Sequence, residues 1–269
     1  MKKIIISRKG FDASSGGKPS FVYNDRLYSI PIPRVESNIF YRDIQFSSNE
    51  SLLDVMKGVG IKQFTECHLD PDLNYWARTG RMENWKAAFG QAGSSESRLQ
   101  NEDVGQGDLF LFFGWFRPII KMNGKYSYIK VARDQHIIYG FLKIEEVFDM
   151  NDPTTKIPNY LSQHPHVVQR AEYAHTKNRI YVGQGGTFYF NQSLVLTREG
   201  ESKQKWQLPS FFGREPFKAK VDLGLLPDGN LSINFTGRTQ QELLVSSNPD
   251  VIKWAEDIIL ENRIQIDVE

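Results

Sequence analysis

A single cysteine, Cys67, in 269 residues excludes an internal disulfide framework and fits a reducing compartment. Long hydrophobic runs are missing too: no stretch approaches the roughly 18 consecutive apolar residues a membrane helix needs. The run near the start, Ile4-Ile5-Ile6, stops at Ser7, Arg8 and Lys9, too short for the core of a secretory signal. Nor is there an excess of one charge, since 33 basic and 32 acidic side chains leave a net +1. Sequence-independent duplex binders gain most of their affinity by neutralising phosphates and usually carry a clear basic surplus. Composition therefore advertises no long-range attraction to nucleic acid, although it leaves a local basic groove open. The expectation from these absences is a cytoplasmic protein that does not use the membrane.

Apolar residues make up 40% of the chain and aromatics 13%, enough surface to offset the ordering entropy of a sizeable core. Residues 2–6 read as a short buried strand and residues 10–20 as a Gly/Ser loop. A hairpin is expected over 21–30 around Asn24-Asp25-Arg26, with Pro31 and Pro33 preventing regular pairing of the next stretch. Residues 48–57 read as a helix with Ser48 as N-cap. Residues 61–73 read as a strand running into a loop, and residues 91–107, rich in Gly, Ser, Glu and Gln, as exposed. The apolar stretch 109–117 predicts a buried strand whose partner is 135–147, with the turn signal Asn123-Gly124 between them. Short strands are expected at 179–182, 186–190 and 193–197. Residues 218–223 and 231–235 flank the turn at Pro227-Asp228-Gly229-Asn230. Pro249 opens a final helix to about Asn262, with Ile252, Ala255, Ile258 and Ile259 on its inner face. The fold expected is one α+β domain over 1–269, with a largely antiparallel β core and flanking helices.

Four motifs carry candidate chemistry. Arg8 and Lys9, ahead of Ser14-Ser15-Gly16-Gly17, can present cations and backbone N–H groups to an anion, without the spacing of a phosphate-binding P-loop. A strand-end turn with solvated charges explains the same residues. His68-Leu69-Asp70-Pro71-Asp72 offers an imidazole and two carboxylates for a divalent metal, or an acid–base pair in which Asp70 orients His68. Asp-Pro-Asp is also ordinary turn chemistry. Gln91 can read a base edge, and Trp115 and Arg117 can stack on one, whereas Phe110, Phe112 and Phe113 are core. His164-Pro165-His166 places two imidazoles near one ion or one proton. His136 and His175 have no supporting pattern, and Cys67 has no partner that would make it a nucleophile.

Taken together, the segments Ser7–Asp12, Ser15–Gly17 with Pro19-Ser20, Ile30–Pro33, His68–Leu73, Phe89–Gln91, Gly107–Arg117 and His164–His166 resemble the third nucleotide-modification-associated domain family. The resemblance spreads over roughly residues 2–182. Ala13 and Phe21 stand where the family pattern leads one to expect a serine and a proline. The resemblance implies an enzyme, or an enzyme subunit, acting on a nucleotide or on a base in DNA, from a bacterium or phage. On that reading Asp12, His68 and Asp70 do acid–base or metal work. Arg8, Lys9, Ser15, Gln91, Trp115 and Arg117 hold the substrate, and His68, Asp70, Asp72, His164 and His166 are the candidate ligands of a divalent metal. The stretch from Gly107 to Ile144 is also similar to the core of PUA-like domains, β-barrels that hold nucleotides or modified bases. That similarity implies a non-catalytic reader as the alternative. A partner-binding component of a phage-defence locus is the third reading.

Overall fold

The computed structural model describes residues 2–237 and 239–262. In chain order the strands are β1 (Ile4–Arg8), β2 (Ser20–Tyr23), β3 (Arg26–Tyr28), β4 (Ile32–Pro33), β5 (Gln45–Ser47), β6 (Glu50–Ser51), β7 (Cys67–His68), β8 (Ala87–Ala92), β9 (Leu109–Met122), β10 (Lys125–Tyr128), β11 (Gln135–Asp149), β12 (Asn178–Thr187), β13 (Lys205–Leu208), β14 (Val221–Leu225), β15 (Leu231–Phe235) and β16 (Glu242–Ser246). The helices are α1 (Leu52–Gly58), α2 (Gly93–Asn101), α3 (Pro165–Val168) and α4 (Pro249–Asn262). None is long and apolar enough to cross a membrane.

The large sheet runs β16-β1-β9-β11-β12-β8, and the far half of β9 also pairs with β2 and β10. Its pairings are antiparallel except β1–β9 and β2–β9, so the fold is α+β with a curled, half-barrel sheet dominated by antiparallel neighbours. Register shifts at Ile138/Gly140 and Ile144/Glu146 in β11 put extra residues into one strand, which bends it and raises the local twist.

β9 is apolar at successive positions because both of its faces are covered. Phe110 and Phe112 stack on each other and meet Phe89 on one side, while Phe113 packs edge-on against Trp206 on the other. Trp206 belongs to a second sheet, β13-β15-β14. Each such ring removed from water contributes roughly 1.5–3 kcal/mol. α4 closes the β16 side, burying Val251, Ala255 and Ile258, with Trp254 against Phe212. Ile252 and Ile259 are partly buried at the edge of that face.

Several local expectations are corrected. The helix expected from Ser48 starts three residues later: Ser51 is its N-cap, its hydroxyl accepting from Asp54 N while the Asp54 carboxylate takes Ser51 N–H. That reciprocal pair satisfies two end donors that Ser48 leaves to water. Ser51→Ala is expected to cost about 1 kcal/mol in urea unfolding, and Ser48→Ala less than about 0.5 kcal/mol. Pro33 does pair, in the two-residue β4 against β7, where a strand end does not need its missing N–H. Only Cys67 and His68 of the segment 61–73 are strand. Residues 91–107 are not an exposed loop. Gln91 and Ala92 end β8, and α2 comes next with Glu96 and Leu99 buried. The strands expected at 179–182 and 186–190 are one continuous β12 to Thr187, and residues 193–197 form a short 3-10 turn and isolated bridges.

Candidate functional site

Two of the motifs, nearly a hundred residues apart in sequence, meet at the outer edge of β8. After β7 the chain runs along that edge: Asp72 exchanges both backbone bonds with Ala88, and Gly90 N–H donates to Asp70 Oδ1 at 2.8 Å. Asp70 thus occupies the place where a further strand would accept. From the other direction, Pro165 at the first position of α3 and His164 as its N-cap bring both histidines inward. His68 Nε2 lies 3.5 Å and His166 Nε2 3.3 Å from Asp70 Oδ2, and His164 Nε2 lies 3.8 Å from Oδ1. All four side chains are nine-tenths buried or more.

His166 Nδ1 lies 2.6 Å from the Asn178 side-chain amide, a contact that holds the ring with Nε2 toward Asp70. Its ring also stacks on Tyr173, centroids 4.7 Å apart. His164 Nδ1 accepts from His166 N–H, which leaves its Nε2–H, among the described residues, without a hydrogen-bond acceptor. Burial drives the His164 imidazole down to about 3 and also lowers His68, so both rings stay neutral. Burial works to raise Asp70, but hydrogen bonds from His166 and His68 outweigh it and keep the carboxyl low. The ligand atoms of His68, Asp70 and His166 lie within 4.8 Å of one another. Two imidazoles and one carboxylate on one side of an ion are a donor set for a divalent transition metal with open positions. Asn178 plays the orienting part that metal-binding histidines require.

Gly90 makes this arrangement fit. A Cβ there would lie 2.4 Å from His166 Cδ2, so the backbone of β8 forms the wall behind the ring.

Asp72, the other candidate ligand in the motif, turns away. Its carboxylate is held by Arg81 through two bonds of 2.5 and 2.6 Å. A cavity of about 90 Å³ lies beyond it, touching the cluster through Asp72 and His164.

The remaining candidates fall into two other neighbourhoods. Lys9 and Gln91 converge on Glu242: Lys9 Nζ lies 3.1 Å from Glu242 Oε1 and 4.6 Å over the Phe89 ring, and Gln91 Nε2 donates to the same oxygen. Glu242 is a partner that the sequence motifs did not reveal. Arg8 reaches Thr239 and Asp12, while Asp12 Oδ1 accepts from Ser14 and Ser15 backbone N–H, so these residues hold the loop over 12–17 closed. Trp115 lies beneath Lys203 Nζ at 3.7 Å, and Arg117 lies near Asp134. Phe112 and Trp115 are three residues apart on β9 and so project from opposite faces. His136 is half-buried beside Trp206, whose Nε1 donates to it.

Beside Glu242, Glu96 accepts from Tyr181 and Gln100, yet burial still lifts its carboxyl to about 7. The folded chain keeps that proton through a range where the unfolded chain, near 4.5, has lost it. Stability should therefore fall as pH rises from about 4.5 to about 7 and level off above, by up to roughly 3 kcal/mol. Glu96→Gln should flatten this slope in denaturation curves taken from about pH 5 to 8. An unchanged slope would place the titrating group elsewhere.

Neither the curated proteins nor the solved structures contain a match to the chain. The family model described as nucleotide modification associated domain 3 matches residues 3–243, and its reach includes β1, the His68–Asp70 turn, α3 and the Glu242 contact. The chain thus belongs to the nucleotide modification associated domain 3 family.

Proposed function

We propose that this chain is a single-domain, metal-dependent enzyme of nucleotide or nucleic-acid base modification, with its centre at His68, Asp70 and His166. One observation carries the reading: the ligand atoms of His68, Asp70 and His166, all three buried, lie within 4.8 Å of one another. A divalent ion held there supplies Lewis acidity and lowers the pKa of bound water. The chain's own residues do the rest. Asn178 and Tyr173 fix the His166 ring. Gly90 N–H donates to Asp70 Oδ1 at 2.8 Å, which supports the charge of the ligand carboxylate. Burial of all four side chains keeps the local dielectric low, so each of these interactions is stronger than it is in water.

Metal analysis of the purified protein and a mass-resolved turnover assay on nucleotides and DNA test this together. The expected result is one divalent ion per chain and a product whose formation is lost in His68→Ala. A chain that holds no metal after incubation with zinc, iron(II) or manganese would remove the reading.

A non-catalytic reader is the second reading, favoured by an open cleft of about 450 Å³ lined by Arg117, Lys130, Arg133 and Lys203. It predicts stoichiometric binding without turnover that Arg117→Gln weakens. Unchanged binding in that variant rules it out.

A further inference from the structure

The unpaired buried side-chain atoms around the cavity against His164 are, among the described residues, donors. Arg78, Arg81, Trp85 and His164 line it, and Asp72 is the one carboxylate in its wall. Asp72 takes both terminal nitrogens of Arg81, and Gln163 takes one from Arg78 at 3.2 Å. Among the described residues, Arg78 Nε, Arg81 Nε and His164 Nε2 are buried without a hydrogen-bond acceptor. Leaving a buried donor unpaired costs about 1–3 kcal/mol, more for a charged group. Three around one cavity call for a ligand with several acceptor oxygens. Two guanidinium groups against one carboxylate leave the wall positive, so the ligand is an anion. About 90 Å³ exceeds the room one water needs, roughly 10–15 Å³ on this measure.

A row of aromatic rings runs from the cavity wall to the surface. Trp85 in its wall meets Tyr75 at 5.8 Å, and Tyr75 meets Trp76 at 5.0 Å. Trp76 is 63% exposed, an unusual position for so large an apolar ring on a segment that also carries Arg78 and Arg81. Exposed tryptophan beside arginine is the pairing that stacks a base and grips its phosphate.

We infer that this cavity is a nucleotide-phosphate subsite, formed by Arg78, Arg81 and His164, with Trp76 as the stacking face for the attached base. The choice of a nucleotide over other phosphates rests on the proposed reading of the neighbouring cluster. The shared chemistry is a phosphate ester beside a base, from a free mononucleotide or from a single strand.

Calorimetry on metal-stripped protein separates this inference from the metal reading. The probes are inorganic phosphate, a nucleoside monophosphate and a short single-stranded oligonucleotide. All three are expected to bind. Arg78→Gln should weaken each by about tenfold or more. Trp76→Ala, an exposed site that leaves folding intact, should weaken only the two probes that carry a base, by about tenfold. Whichever of mononucleotide and oligonucleotide binds tighter identifies the source. No binding of phosphate or monophosphate at millimolar concentration, or equal binding in Arg78→Gln, overturns the subsite even if the cluster holds metal. Binding of these probes to a chain that never takes up metal would sustain the subsite and remove the metal reading alone.

Discussion

Asp70→Asn is expected to weaken divalent-metal binding by at least about 100-fold, since loss of an outer-shell partner alone typically costs roughly 10- to 100-fold. Turnover should go with it. Asparagine keeps an oxygen that can accept from Gly90 N–H, so the turn after β7 should hold its place on β8. Metal titration of the parent and the variant reads the change. Unchanged metal affinity would defeat the assignment.

Gly90→Ala should do comparable damage without touching a ligand. The new methyl would sit 2.4 Å from His166 Cδ2 and 2.8 Å from Nε2. The ring has nowhere to go, because Asn178 holds its far nitrogen at 2.6 Å and Tyr173 lies flat against its face. Overpacking of this kind costs about 1–3 kcal/mol. A ring displaced by even a fraction of an ångström no longer meets the ion's geometry, so affinity should drop at least about tenfold. Gly105→Ala is the control: its Cβ meets nothing within 4 Å, and it should leave both stability and metal binding alone. If Gly90→Ala binds metal like the parent, the wall behind His166 is softer than its contacts imply.

The donors of this centre were legible in the sequence, but their arrangement was not. His68, Asp70, His164 and His166 announce themselves by residue type and by two tight spacings. That they share one carboxylate depends on the edge of β8 and on the entry angle of α3, which no local pattern encodes. Asn178 and Gly90 are silent for the same reason. An asparagine at a strand start and a glycine within a strand mean nothing until a histidine ring is packed on them. The apolar run Leu109–Phe113 was readable because a strand covered on both faces needs no alternation. α2 was not, because Gly93-Ser94-Ser95 has loop composition and only burial of Glu96 and Leu99 makes the segment helical. Ser48 and Ser51 look alike as caps, and Asp54 within reach of Ser51 decides between them. Arg8, Lys9, Gln91 and Asp12 read as ligand-seeking groups, yet each already has partners within the fold.

β1 lies between β9 and β16, so the first strand of the chain is hydrogen-bonded on one side to residues 109–113 and on the other to residues 242–246. During synthesis one edge of Ile4-Ile5-Ile6 stays open until residues 242–246 have left the ribosome. Such late, distant pairing makes for slow folding and exposes an apolar strand edge to other chains in the meantime. Fragments ending before Leu243 should therefore accumulate as aggregates, and a nascent chain of this protein is a natural client for a chaperone that shields unpaired strands.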